Sequence, residues 1–224
     1  MRTPRSSPAS APPAPGLRRP RQARSRATLD RLLTAAAELL AERRFDEATV
    51  AELVERAGSS VGAFYARFGS KEALLHEIDE RLFEAGRASW KEFLAAERWE
   101  GAGAGEILDA LVGLLVAKRR ERRGLLRALA LHSRSNPRSE FARRSTRLNR
   151  MLVSRFTRLL LTRRSEIRHP RPEEAIPLAF QIADSVTRDA IVFEESALAP
   201  PRSDRGLAAS LSRVLRLHLG LEET

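Results

Sequence analysis

Leucine and alanine recur at three- and four-residue steps along most of this 224-residue chain, which is the pattern of amphipathic helices. The first apolar stripe predicts a helix from Thr28 to Arg43, with Thr28 as its N-cap. Further helices, each with an apolar face, are predicted at 49–57, 60–68, 70–97, 106–119, 122–134, 139–163, 173–195 and 204–219. No segment argues for a strand, so the sequence predicts an all-α fold.

Two of these helices are short and are joined by a tight turn. Thr49 with Glu52 three residues later forms a capping-box pattern that begins the first of them. Gly58 suits the left-handed conformation that ends a helix, and Ser60 is placed to cap the next one. The apolar residues predicted to point inward from the second short helix are Val61, Phe64 and Phe68. The segment therefore has the layout of a helix-turn-helix, whose second helix enters a DNA groove.

The second short helix has a surface suited to DNA. Gly62 and Ala63 have almost no side chain to hold its backbone away from a groove. Tyr65 and Arg67 lie on its flank, where a phenol and a guanidinium can reach phosphates. Lys71 falls in the first turn of the following helix, where backbone N–H groups also favour phosphate.

Each of these residues also has a purely structural explanation. Thr49 and Ser60 can be helix caps only, and Gly62 can serve the close packing of two helices. Tyr65 can be an edge residue of the core, and Lys71 a solvated lysine.

The net charge of +11 suggests a polyanionic partner, but the charge is unevenly placed. Residues 1–26 carry seven arginines and no acidic residue. Residues 27–72 carry six basic side chains against eight acidic ones, so the candidate DNA-binding segment is slightly negative. The most basic later stretch is 118–147; it could recognise an acidic ligand or be a solvated face.

Residues 1–23 are rich in proline and arginine and are predicted to be a disordered arm. Arg24 and Arg26 directly precede the first apolar stripe. Arginines on a flexible arm can neutralise phosphates or enter the minor groove, whereas a solvated tail is the alternative.

The last two helices carry apolar stripes that would suit a four-helix interface between two copies of the chain. These stripes comprise Ile176, Ala179, Ala183, Val186 and Ala190 in one helix, and Leu207, Leu211, Val214 and Leu215 in the other. A second stripe, Leu178 and Ile182, faces elsewhere. The alternative is that both main stripes belong to the core of a single chain.

The N-terminal segment resembles the TetR family of bacterial transcriptional regulators. The residues that carry the resemblance are Phe45, Thr49, Val50, Ala57, Gly58, Ser60, Gly62, Phe64, Tyr65, Phe68, Ser70, Lys71, Glu72, Leu74 and Leu75. It implies a three-helix helix-turn-helix DNA-binding domain over residues 24–84, and a helical ligand-binding and dimerisation domain over 85–224. By resemblance, the positions that approach DNA are Thr49, Ser60, Gly62, Ala63, Tyr65, Arg67 and Lys71.

The resemblance also implies a ligand cavity in the second domain. Residues suited to line it are Trp90, Phe93, His132, Phe156 and Phe180, although such residues are also common in a plain core. The function expected is a ligand-responsive repressor, a homodimer that binds a palindromic operator in double-stranded DNA through residues 49–68 and releases it on binding a small-molecule effector. The rival hypothesis is a sequence-independent, charge-driven nucleic-acid binder.

Several other classes of protein find no support in the sequence. The chain has no cysteine, and its four histidines are far apart, so no metal site or other cofactor is expected. No nucleophile–base pair or phosphate-binding glycine loop suggests an enzyme. The longest nearly apolar stretch, 107–117, is too short to cross a membrane, so a cytoplasmic protein is expected.

Overall fold

Helices make up nearly all of the regular structure. The computed structural model describes residues 19–42, 47–135, 137–138, 140–194 and 203–221; side chains are described from residue 27 onward, except those of residues 37, 40–42, 132, 135, 140 and 141. The helices are α1 (Arg19–Glu42), α2 (Val50–Arg56), α3 (Val61–Phe68), α4 (Lys71–Phe93), α5 (Ala104–Glu121), α6 (Arg123–Ser135), α7 (Glu140–Leu161), α8 (Pro172–Val192) and α9 (Asp204–Leu219). No strand occurs in these ranges, which confirms the all-α prediction. None of the described helices combines the length and apolarity needed to cross a bilayer.

Helix α1 begins nine residues before the predicted start. Thr28 lies inside the helix and is not its N-cap, and residues 19–23 are helical where a disordered arm was predicted. The physical reason is local: arginine, glutamine and alanine are strong helix formers. Pro20 is tolerated because backbone N–H groups of the first turn have no partner within the helix. Residues 1–18 lie outside the described part of the chain.

The N-terminal helices share one hydrophobic core, whose largest fully buried members include Leu32, Leu39, Phe64 and Leu74. Helix α6 completes this core from a distant part of the sequence with Ala128 and Leu129. Helix α4 also runs unbroken through the predicted boundary at residue 84. The N-terminal unit is therefore joined to the rest of the molecule through α4 and α6.

A second core lies among the end of α4, α5, α7, α8 and α9. Helix α5 runs through its centre, because Ile107, Leu108, Leu111 and Val112 are all fully buried. At one end, Trp99 is buried and donates its Nε1 hydrogen to the carbonyl oxygen of Phe93 at 2.6 Å.

The main apolar stripes of α8 and α9 face this second core. Ile176, Ala179, Ala183, Leu211 and Leu215 are buried inside a single chain, so their prediction as dimer-interface residues is wrong. The reason is that α5 packs against both helices and covers this face. Ala190 and Leu207 are partly buried, whereas Val186 and Val214 remain exposed. Leu178, on the second stripe of α8, and Leu217, on α9, also face outward.

Candidate functional site

The first helix of the helix-turn-helix begins with the predicted capping box. The Thr49 hydroxyl oxygen accepts from the backbone N–H of Glu52 at 3.2 Å, and Glu52 Oε2 accepts from the backbone N–H of Thr49 at 2.9 Å. The Thr49 hydroxyl also donates its hydrogen to Glu52 Oε2 at 2.9 Å. The hydroxyl of Thr49 has a single hydrogen, and the contact with Glu52 already uses it, so Thr49 acts as a helix cap here. Contact of Thr49 with DNA stays a prediction.

The turn between α2 and α3 is built as the sequence predicted. Gly58 has a φ of +57°, a left-handed conformation that costs glycine nothing. The backbone N–H of Ser59 donates to the carbonyl of Val54 at 2.8 Å and closes the turn. Arg31 of α1 donates from Nε to the carbonyl of Ala57 at 3.1 Å, so α1 holds the end of α2 in place.

Helix α3 is fixed to the N-terminal core by one aromatic side chain. Phe64 is fully buried, and the rings of Tyr65 and Phe68 each lie 5.3 Å from its ring. Val61 was predicted to point inward but is 46% exposed, because this first-turn residue lies where no neighbouring helix covers it. The buried anchor therefore lies on one side of α3, and the opposite side is left to solvent.

The solvent-facing surface of α3 contains most of the predicted DNA contacts. Ser60, Gly62, Ala63, Tyr65 and Arg67 are all exposed. The Ser60 hydroxyl oxygen accepts from the backbone N–H of Ala63 at 3.1 Å, which does not use its hydrogen. A Cβ added to Gly62 would meet no atom within 4 Å, so helix packing does not explain this glycine.

Lys71 lies beside this surface with a structural contact of its own. Its ammonium donates to the carbonyl oxygen of Ala48 at 2.9 Å, which ties the start of α4 to the residue just before the α2 cap. Ser70 caps α4 by accepting from the backbone N–H of Ala73 at 3.1 Å. The predicted contacts Arg24 and Arg26 lie in α1, and their side chains are outside those described.

A cavity of about 220 Å³ lies among α4, α5, α6, α7 and α8. Of the residues predicted to line a ligand site, Trp90 and Phe180 line this cavity. Phe93 and Phe156 do not; they are buried behind it, with ring centroids 5.7 Å from Trp90 and 5.6 Å from Phe180, respectively. His132 lies in α6, but its side chain is outside those described.

The cavity also has a charged end, formed by the start of the basic stretch 118–147 for which the sequence suggested an acidic ligand or a solvated face. Lys118, Arg119 and Arg122 line it from the end of α5, together with Asp184 of α8. The Arg119 guanidinium donates to Asp184 and, at 2.5 Å, to the Thr187 hydroxyl. Burial lowers the pKa of Arg119, and the charge of Asp184 opposes that shift. The signal in the sequence is the four-residue spacing of Lys118 and Arg122, which puts these two side chains on the same face at the end of α5.

One group of potential metal ligands occurs in the described residues. A nitrogen of His76 and carboxylate oxygens of Asp79 and Glu80 lie within 4.8 Å of one another on α4. The carboxylate of Glu80, however, accepts hydrogen bonds from both terminal nitrogens of Arg144. The guanidinium of Arg144 also lies 4.6 Å from the ring centre of Phe83. The carboxylate thus serves to join α7 to α4.

Comparisons with known proteins agree with this geometry. Residues 32–78 match the model of the tetR family of bacterial regulatory proteins. An uncharacterised HTH-type transcriptional regulator of Bacillus subtilis, YvdT, is 40% identical over 53 residues, which cover 24% of this chain and 27% of that relative. The chain thus matches about a quarter of the length of this curated relative.

Solved structures resemble the chain over most of its length. A tetR-family regulatory protein from Rhodococcus RHA1 aligns over 88% of this chain and 98% of its own, with a TM-score of 0.66 and 21% identity. A second Rhodococcus regulator aligns over the same shares with a TM-score of 0.64 and 23% identity. At these identities the likeness concerns the fold. The helix-turn-helix segment thus matches the tetR family of regulatory proteins, and the chain as a whole shares the fold of these solved structures.

Proposed function

We propose that this protein is a dimeric, ligand-responsive repressor that reads an inverted-repeat operator through α3. The observation that carries the proposal is the exposed first turn of α3, where Gly62 has no packing role within the chain. An exposed glycine inside a helix costs about 1 kcal/mol relative to alanine. The wall of a DNA groove lying close to the backbone of α3 would explain why glycine occupies this position.

The side chains around Gly62 suit a DNA groove. Val61 and Ala63 offer small apolar surfaces for the methyl group of thymine, and the Ser60 hydroxyl retains a hydrogen to donate. Tyr65 and Arg67 reach outward on the flank, where phosphate contacts would fix the register of the helix. The small residues at the centre of this surface are thus placed to contact bases, and the polar residues at its edge are placed to contact the DNA backbone.

The outward faces of α8 and α9 support a homodimer. Leu178, Val214 and Leu217 are between 47% and 62% exposed, and they replace the buried stripe as candidates for the interface. Pairing two copies through these helices would give two α3 helices related by a two-fold axis. Such a pair reads an inverted repeat whose half-sites lie about 34 Å apart or a multiple of it.

The connection between the cavity and the N-terminal core supports control by a ligand. Helix α4 contributes Leu74 and Ile78 to that core and Phe83 and Trp90 to the cavity. Helix α6 likewise places Leu129 in the core, while Leu126 lines the cavity. A ligand that binds one arrangement of these helices more tightly than another would shift the separation of the two α3 helices.

Selection of bound sequences from random duplex DNA tests the proposal. The full-length protein is used at about 0.15 M salt, where charges more than roughly 8 Å apart are screened. The proposal predicts enrichment of an inverted repeat. Binding without an enriched motif, lost as the salt concentration rises, would instead support the charge-driven binder suggested by the arginines of residues 1–26.

A further inference from the structure

We infer that the cavity among α4, α5, α6, α7 and α8 takes a small organic carboxylate, whose anionic group lies against Lys118 and Arg122. This inference rests on the proposed ligand response and gives the chemical class of the ligand. The starting observation is that the cavity is apolar over most of its wall and cationic at one end. The apolar wall comprises Leu82, Phe83, Trp90, Leu114, Leu115, Leu126, Leu148, Leu152 and Phe180.

The charges that line the cavity do not cancel. Three cationic side chains, Lys118, Arg119 and Arg122, face one carboxylate, Asp184. Asp184 is already committed, because it accepts from Arg119 and, at 2.7 Å, from Arg188. It therefore compensates the buried guanidinium and leaves the charges of Lys118 and Arg122 to another partner.

That other partner is a shared and exposed carboxylate. Glu121 accepts from Lys118 at 3.0 Å and lies 3.5 Å from Arg122, and its side chain is 53% exposed. Exposed ion pairs of this kind are weak. A carboxylate inside the cavity would contact the same cations through charge-assisted hydrogen bonds, beside an apolar wall that shields part of the site from water.

The position of the cations has a second possible explanation. Positive side chains in the last turn of a helix stabilise that helix through its dipole. This accounts for their place along α5 but not for the fact that Lys118 and Arg122 also line the cavity. Lining the cavity is what a binding role requires.

The size of the cavity limits the ligand. A volume of about 220 Å³ lies below the range of drug-sized sites. A single aromatic ring or a short chain with one carboxylate fits this space. Trp90 and Phe180, with ring centroids 5.9 Å apart, give such a ring an aromatic wall.

Three probes of similar size separate the charge preferences of the cavity: benzoate is anionic, benzamide neutral and benzylamine cationic. Their dissociation constants follow from titration of tryptophan fluorescence, since Trp90 lines the cavity and the chain has two tryptophans. The Trp90→Phe variant, which keeps Trp99, shows which change in signal comes from the cavity. A parallel shift in the thermal midpoint gives a second readout that does not depend on tryptophan.

The inference predicts that benzoate binds about tenfold more tightly than benzamide, and that benzylamine binds least. Arg122→Gln should weaken benzoate binding toward the benzamide value, and Lys118→Gln with Arg122→Gln should remove the preference. Arg155→Gln on exposed α7 surface makes the same change in net charge and should have no effect. Gly86→Leu should weaken binding of all three probes, because Gly86 lines the cavity and an added Cβ meets no atom within 4 Å, which leaves the larger side chain to occupy the cavity.

Several results would overturn the inference. Equal binding of benzamide or benzylamine would show that the cations do not choose the ligand, as would unchanged benzoate binding in the double variant. The absence of saturable binding by any of these probes would also overturn it. None of these measurements involves DNA, so they leave the operator selection as a separate test of the proposed function.

Discussion

The ammonium of Lys71, at the start of α4, donates to the carbonyl oxygen of Ala48, just before α2, at 2.9 Å. The contact joins the two helices that flank α3 and places a cation at the edge of the proposed DNA surface. We expect Lys71→Met to lower the free energy of unfolding by about 1 kcal/mol, the usual contribution of a hydrogen bond. It should also reduce the slope of log affinity against log salt by about one, as loss of a phosphate contact does.

Urea unfolding and operator titrations at several salt concentrations measure the two effects separately. Lys91→Met, at an exposed position on the same helix, is the matched control and should change neither quantity. A salt slope that is the same for Lys71→Met and the unmodified protein would reduce Lys71 to a structural residue.

Replacement of Gly62 by alanine should affect stability and DNA binding in opposite directions. Alanine is favoured over glycine in a helix by about 1 kcal/mol, and the added Cβ meets no atom of the chain, so stability should rise. Operator affinity should fall about tenfold, the effect of one disturbed base contact. Gly113→Ala, at an exposed site on α5 with equally open surroundings, should give the same stabilisation and leave DNA binding unchanged. Equal operator affinities for the two variants would contradict a close approach of DNA to Gly62.

The exposed residues of α8 and α9 give a test of the dimer. Leu217→Gln should raise the dimer dissociation constant about 100-fold or more, because a buried leucine contributes about 1.5–3 kcal/mol and both copies of a two-fold dimer carry the change. The fold should be unaffected, since Leu217 is 62% exposed within one chain. Met151→Gln, at an exposed apolar site on α7, is the control. Sedimentation velocity measures the dimer dissociation constant of each variant. Equal constants for Leu217→Gln and Met151→Gln would place the interface elsewhere.

The buried pair of Arg119 and Asp184 predicts non-additive effects on stability. Asp184→Ala should cost about 3 kcal/mol, because it leaves Arg119 buried without its carboxylate and beside Arg188. Arg119→Met combined with Asp184→Ala should cost less than Asp184→Ala, since no uncompensated charge remains. Urea unfolding of the two single variants and the double variant gives the coupling. Strict additivity of the two losses would show that the pair contributes no coupling energy.

The sequence was most informative where structure is decided locally. The capping box of Thr49, the left-handed Gly58 and the cap at Ser60 all lie as predicted, because each depends on residues within about one helical turn. These features placed the helix-turn-helix and thereby the candidate DNA surface. Whether the surface contacts DNA stays a prediction.

The predictions that failed depend on contacts between distant segments. The stripe through Ile176 and Ala183 has the same spacing whether α5 of its own chain or a second chain covers it, so periodicity could not choose between them. Phe93 and Phe180 likewise have similar patterns, yet only Phe180 lines the cavity. Val61 was assigned to the core by its apolarity, although the first turn of α3 lies uncovered.

The most direct test of base reading by α3 compares the motifs selected from random duplex DNA by the unmodified protein and by Ala63→Gln. Ala63 is exposed in the first turn of α3, and glutamine is compatible with a helix while adding an amide that can bind adenine. The account predicts an inverted repeat for the unmodified protein, and for Ala63→Gln a repeat changed at one matched position in both half-sites. Identical motifs from the two proteins, or no enriched motif from either, would contradict it.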